Sequence, residues 1–179
     1  RATAHLFADE GARLAIFDIN EAALEAVAQE VRSVGAEVLP LVVNLRDRQA
    51  VEKAVGSAIE HFGGLDILVN NAGVQIVTPT PTITDERAEH LLTVDLTAAL
   101  RLQRLVLEDM LPHDHGTIVN IASLAAIVPT PGMMHYNAAK SALAAASESL
   151  RAELSHTNVN VLTVYPGPVA TDMEASNVA

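Results

Sequence analysis

The 179 residues carry 22 Asp and Glu against 11 Lys and Arg, a formal net charge of −11, and half of them are apolar. This balance excludes nucleic acid and anionic membranes as main partners, since both select basic surfaces, and it leaves enough apolar mass for the core of one domain. There is no cysteine, which excludes disulfides, thiol catalysis and cysteine metal sites and fits a reducing, cytoplasmic compartment. No apolar run approaches the ~18 residues of a membrane span, no secretory signal opens the chain, and aromatics are too scarce for a base-stacking surface.

Helical and strand signals alternate along the chain. Arg1–Asp9 already reads as the middle of an amphipathic helix, with no cap before it, and Gly11 stops it. A strand is expected over Arg13–Phe17, ending at Asp18. Asn20 caps a helix to about Val34 with the apolar stripe Ala22, Leu24, Val27, Ala28 and Val31. A strand Glu37–Val43 ends at Asn44. Asp47 caps a helix through Phe62, which Gly63-Gly64 terminate. A strand Leu65–Val69 runs into Asn70-Asn71-Ala72-Gly73, and a Thr/Pro-rich loop spans Thr78–Thr84. One long helix is then expected from Thr84 or Asp85 to about Leu111, followed by a strand Thr117–Ile121. The helix bearing Tyr136 extends to about His156, and a last strand covers Val159–Tyr165 before Pro166-Gly167.

Short strands alternating with longer helices imply β-α-β units and a parallel sheet. The apolar runs Ile67-Leu68-Val69 and Ile118-Val119 suit strands covered on both faces. The expected fold is therefore α/β, a doubly wound, Rossmann-like parallel sheet in a single domain over residues 1–179. With no cap at one end and no closing element at the other, it reads as truncated at both ends. In such sheets ligands bind beyond the carboxyl ends of the strands. Asp18, Asn44, the Asn-Asn-Ala-Gly turn, Ser123 and Pro166-Gly167 all fall at those ends.

Tyr136 and Lys140 share one helix face, one turn apart. An ammonium near a phenol favours the phenolate and lowers a pKa that is ~10 unperturbed, giving a proton donor and acceptor usable near neutrality. Ser123, just past a strand, can hold a substrate oxygen beside it. Asp18 stands where an acid about 20 residues beyond a glycine-rich turn binds an adenosine ribose, and its charge favours NAD over NADP. Capping a helix is its plainer use. Asn70 and Asn71 offer amides that donate and accept, and Ala72 and Gly73 admit close backbone approach, although Asn and Gly also make ordinary turns. His113-x-His115 beside Asp114 reads as a solvated turn, so no metal is expected. Met133, Met134 and His135 are pocket-wall or packing residues.

In combination, Asn70–Gly73 (NNAG), the Ser123/Tyr136 spacing, Tyr136–Lys140 (YNAAK) and Pro166, Gly167 and Thr171 (PG…T) resemble the short-chain dehydrogenase/reductase family over nearly the whole chain. The resemblance implies hydride transfer between an alcohol or ketone and nicotinamide. Tyr136 would be the acid/base, Lys140 would tune it and hold the nicotinamide ribose, and Ser123 would orient the substrate oxygen. Cofactor contacts would come from Asp18, Asn44, Leu45, Asn71, Ala72, Gly73, Tyr136, Lys140, Pro166, Gly167, Val169 and Thr171. NAD is the expected cofactor, with NADP second, and a homodimer or homotetramer is implied through the Tyr136 helix and the Thr84–Leu111 helix.

Three departures accompany the resemblance. The family's glycine-rich loop and first strand would lie upstream of Arg1, and without them the sheet would have a gap at its centre. Asp95 stands where the family has Asn as a fourth catalytic residue, and Asn44 stands where an Asp is usual. A non-catalytic relative or fragment, and an epimerase or dehydratase with tightly held NAD, stay as alternatives.

Overall fold

The computed structural model describes residues 1–168. Its contacts gather into two compact units, Arg1–Gly64 and a second beginning at Leu65. The expected α/β alternation is present in both.

The first unit runs α1 (Ala2–Asp9), β1 (Leu14–Asp18), α2 (Glu21–Ser33), β2 (Val38–Val42) and α3 (Arg48–Phe62). β1 and β2 pair in parallel, from Leu14 opposite Val38 to Asp18 opposite Val42. α2 packs on both strands through its predicted stripe, burying Leu24, Ala28 and Val31. Its start is fixed as expected: the Asn20 side chain accepts the Ala23 N–H at 3.0 Å. α3 is capped by Asp47, which accepts from Gln49 and Ala50. It stops at Gly63, whose φ of 82° lies in the left-handed region that a side chain disfavours, with its N–H on Ile59 O at 2.8 Å.

The second unit holds β3 (Ile67–Asn70), β4 (Gly116–Ile121) and β5 (Val159–Val164) in the order β3-β4-β5, all parallel. Helices make both crossovers. α4 (Asp85–Leu92), a π-helical turn Thr93–Thr97 and α5 (Ala98–His113) join β3 to β4, and α6 (Met134–Glu153) joins β4 to β5. α5 packs on β3 and β4, while α6 packs on β4 and β5. The hydrogen-bonded strands thus fall into two parallel sheets.

Two expectations change in detail. The single long helix from Thr84 is broken by the π turn Thr93–Thr97, where the hydrogen bonding widens by one residue. The strand expected from Leu65 starts at Ile67 and takes in Asn70. Asn70 is buried, and its Nδ2 donates to Asn120 Oδ1 at 2.8 Å, so it belongs to the sheet interior rather than to the turn.

Candidate active site

Each β4 residue advances along the sheet until Ala122, whose N–H still bonds Val164 O at 2.8 Å. Ser123 then caps a short 3-10 turn, Leu124–Ala126, its Oγ accepting the Ala125 N–H at 3.1 Å. That bond fixes the hydroxyl at the strand end. Tyr136 enters from α6, in the helix's first turn, with the Ser123 hydroxyl close enough to act on its phenol. The ring packs with Leu91, Met133 and Ala139, and Val74, Ile76 and Leu96 close around that cluster.

Lys140 follows one turn later. Its ammonium lies 5.7 Å from the centre of the Tyr136 ring and donates to Ile121 O at 3.1 Å. The side chain is buried, and so is Asp95, whose Oδ2 sits 3.3 Å from Nζ. Asp95 lies on the π turn, and its Oδ1 accepts the Val74 N–H at 2.7 Å. The structure therefore brings Ser123, Tyr136, Lys140 and Asp95 together.

The electrostatics differ from the expectation for a Tyr–Lys pair. Burial pushes the Tyr136 phenol above its ordinary value, the Asp95 carboxylate pushes the same way, and the Ser123 hydroxyl opposes them. Burial also raises the Asp95 carboxyl, against the Lys140 charge and the Val74 N–H. The sequence expectation of a lowered phenol pKa is thus reversed in direction. The physical reason is an apolar cage and a carboxylate that compensates the ammonium.

The turn after β3 runs past the Asp95–Lys140 pair. Asn71 and Ala72 are exposed, and the Asn71 N–H closes on Val69 O at 3.1 Å. A Cβ on Gly73 would stand 3.1 Å from Asp95 Oδ2 and 3.3 Å from Lys140 Nζ, so a side chain there would press on the ion pair. Pro166 O accepts the Leu124 N–H at 2.9 Å, tying the chain after β5 to the Ser123 turn, and Gly167 is exposed beside Leu124. Val169 and Thr171 lie outside the described residues.

A nicotinamide ribose fits this donor set. An ammonium has three N–H donors. Ile121 O takes one, the Asp95 ion pair engages a second, and the third suits a ribose hydroxyl.

The remaining expected cofactor residues belong to the first unit. Asp18 is exposed at the end of β1, and its Oδ1 accepts the Asn20 N–H at 2.8 Å, which supports the turn into α2. Asn44 is exposed, accepts the Arg46 N–H at 3.0 Å and shapes the turn that carries half-buried Leu45. Among the described residues no group of three His, Asp or Glu is placed to hold a metal. The Asp114 carboxylate instead binds Asn158 N–H and Nδ2 at 2.9 and 2.7 Å.

Sequence reasoning missed one group behind the site. Asn120 Oδ1 accepts from Asn70 Nδ2 and, at 3.3 Å, from Gln103 Nε2, while Asn120 Nδ2 donates to Ser147 Oγ at 2.8 Å. The available signal was an amide set among Ile118, Val119 and Ile121 in a strand.

A hydroxyl past the end of β4 and a phenol and a buried ammonium on the first turns of α6 can hold and move a proton at an oxygen. The comparisons with known proteins agree with that chemistry. The chain belongs to the short-chain dehydrogenase family, a family of NAD(P)-binding Rossmann-fold oxidoreductases: the sequence model described as "short chain dehydrogenase" matches residues 1–179. It is 30% identical over 173 residues to the 3-oxoacyl-[acyl-carrier-protein] reductase FabG of Thermotoga maritima, covering 97% of this chain and 70% of that one. A solved NAD+-bound xylitol dehydrogenase superposes with a TM-score of 0.92 at 32% identity, covering 98% of this chain and 68% of the other. A metagenomic short-chain oxidoreductase in complex with NADP gives a TM-score of 0.89 at 31% identity, covering 94% and 76%. The chain spans 59–70% of the length of the first curated relatives it matches. Among the described residues no helix is long and apolar enough to cross a membrane.

Proposed function

We propose that this chain carries the catalytic half-reaction of an NAD-dependent alcohol dehydrogenase or carbonyl reductase, with Ser123, Tyr136, Lys140 and Asp95 as its working residues. The supporting observation is the Lys140 ammonium, buried and 5.7 Å from the centre of the Tyr136 ring, with the Ser123 hydroxyl acting on the same phenol. When bound, the nicotinamide would supply or take up the hydride. Ser123 orients the substrate oxygen, and Tyr136 gives that oxygen a proton on reduction or removes one on oxidation. Lys140 holds the nicotinamide ribose and steadies the phenolate left after proton donation.

In this reading residues 1–179 act as one Rossmann-like domain. Asn71, Ala72, Gly73, Pro166, Gly167, Val169 and Thr171 line the nicotinamide end, and Asp18, Asn44 and Leu45 take the adenosine end. NAD is preferred over NADP because a carboxylate at Asp18 repels a 2′-phosphate. The substrate is a small-molecule alcohol or carbonyl compound, the compartment is cytoplasmic in keeping with the absence of cysteine, and the working form is a homodimer or homotetramer.

Tyr136→Phe tests the assignment. It removes the transferable proton and keeps the ring, so turnover measured by NADH absorbance across a panel of polyols, cyclic alcohols and 3-oxoacyl thioesters should fall by about 10²–10⁴-fold. NAD binding measured by calorimetry should persist. Retained turnover in the variant would remove Tyr136 from the proton path.

A further inference from the structure

Asp95 and Lys140 are the two charged residues buried among the described ones. The carboxylate is held at both oxygens, by Val74 N–H at 2.7 Å and by the Lys140 ammonium at 3.3 Å. The π turn places it there, and Gly73 leaves the room it occupies. The ammonium is in turn held by Ile121 O at 3.1 Å, so its position is set from β4 and from the π turn. The Lys140 ammonium, 5.7 Å from the centre of the Tyr136 ring, is therefore already paired. A paired charge acts at a distance as a dipole and stabilises a phenolate far less than a lone ammonium does.

The groups facing this pair are few. α6 brings Lys140 and Tyr136, α4 brings His90, whose charge acts on Asp95, and the β4 end brings the Ile121 carbonyl and the Ser123 hydroxyl. The phenol itself lies in an apolar cage of Leu91, Met133 and Ala139. The apolar cage and the Asp95 carboxylate work against charge on the phenol oxygen, and the Ser123 hydroxyl works for it.

We propose that Asp95 is a positioning residue that occupies the Lys140 ammonium and keeps Tyr136 protonated, so that this site is set for carbonyl reduction rather than alcohol oxidation. The proposal deepens the reading of Tyr136 as the acid/base and rests on it. In the favoured direction a reduced nicotinamide would give up a hydride with its two electrons to the carbonyl carbon, and the carbon–oxygen π pair would move to oxygen. That oxygen takes the proton of the Tyr136 hydroxyl. The phenolate that remains recovers a proton from solvent.

The chain has two tyrosines and no tryptophan, which allows a test without any substrate. In a Tyr165→Phe background Tyr136 is the sole tyrosine, and its ionisation is read directly from the ultraviolet absorbance of the phenolate across pH, using the full chain. Asp95→Asn is nearly isosteric and uncharged, and it should lower the midpoint by about one pH unit, a tenfold change in the ionisation constant. Asp95→Glu should restore the higher midpoint. If the Asn variant fails to fold, Asp95→Ser keeps an acceptor for the Val74 N–H and should give the same downward shift. An unchanged or higher midpoint in a folded neutral variant would overturn the proposal. The hydride-transfer reading fails separately: its failure is absence of turnover across the substrate panel, which leaves the tyrosine titration interpretable.

Discussion

Asn120→Ala is the perturbation with the most visible structural arithmetic. The side chain is fully buried, and it pairs in register with Asn70 across the β3–β4 ladder. Its removal orphans Asn70 Nδ2, bonded at 2.8 Å, and Gln103 Nε2, bonded at 3.3 Å. Ser147 loses a donor and keeps its own bond to Leu143 O at 2.7 Å. Each orphaned buried amide donor costs about 1–3 kcal/mol. The longer Gln103 bond belongs at the low end of that range, so the pair sums to roughly 2–4 kcal/mol before any penalty for the space left behind. A whole domain has about 5–15 kcal/mol to lose. Urea unfolding followed by far-ultraviolet circular dichroism should show a lower midpoint with an unchanged slope. In a double-mutant cycle, Asn70→Ala in the Asn120→Ala background should cost less than it does alone. A loss under about 1 kcal/mol, or strict additivity, would refute the view that this amide clasps β3, β4, α5 and α6 together.

Two further outcomes are expected. Asp18→Ala should weaken NAD more than NADP in a binding titration, and an unchanged ratio would take Asp18 out of the ribose site. Light scattering on the full-length protein should give the mass of a dimer or tetramer, and a monomer across the micromolar range would remove the proposed assembly.

The alternation of strands and helices was legible because its two periods, two and 3.6, are written in the spacing of apolar residues. Caps were equally legible: Asn20, Asp47 and Thr84 each accept the expected backbone N–H. Ser123, Tyr136 and Lys140 were readable as a group, since one strand end and one helical turn fix their geometry. The π turn at Thr93–Thr97 left no mark in the sequence, because its residues suit an ordinary α-helix and the extra residue shows only in the hydrogen bonds. The two faces of the NNAG motif were also hidden. Asn70 completes a strand and points to an amide on a neighbouring strand, a partner that local spacing cannot reveal. The direction of the Tyr136 pKa was hidden for the same reason: Lys140 is local to Tyr136, whereas the apolar residues that bury the phenol and the Asp95 carboxylate arrive from distant segments.

The π turn has a bearing on how this site can change by mutation. An α-helix carrying one surplus residue absorbs it within a single wide turn, so the helical stretches on either side keep their own hydrogen bonding. Deleting one residue from Thr93–Thr97 should therefore return the stretch to regular α-helix while Asp85–Leu92 and Ala98–His113 hold their packing. What moves is the carboxylate of Asp95. The scaffold and the charge state of the catalytic group are in this respect separable, so a one-codon deletion changes the proton chemistry of the site through a route that substitutions at the catalytic residues themselves do not offer.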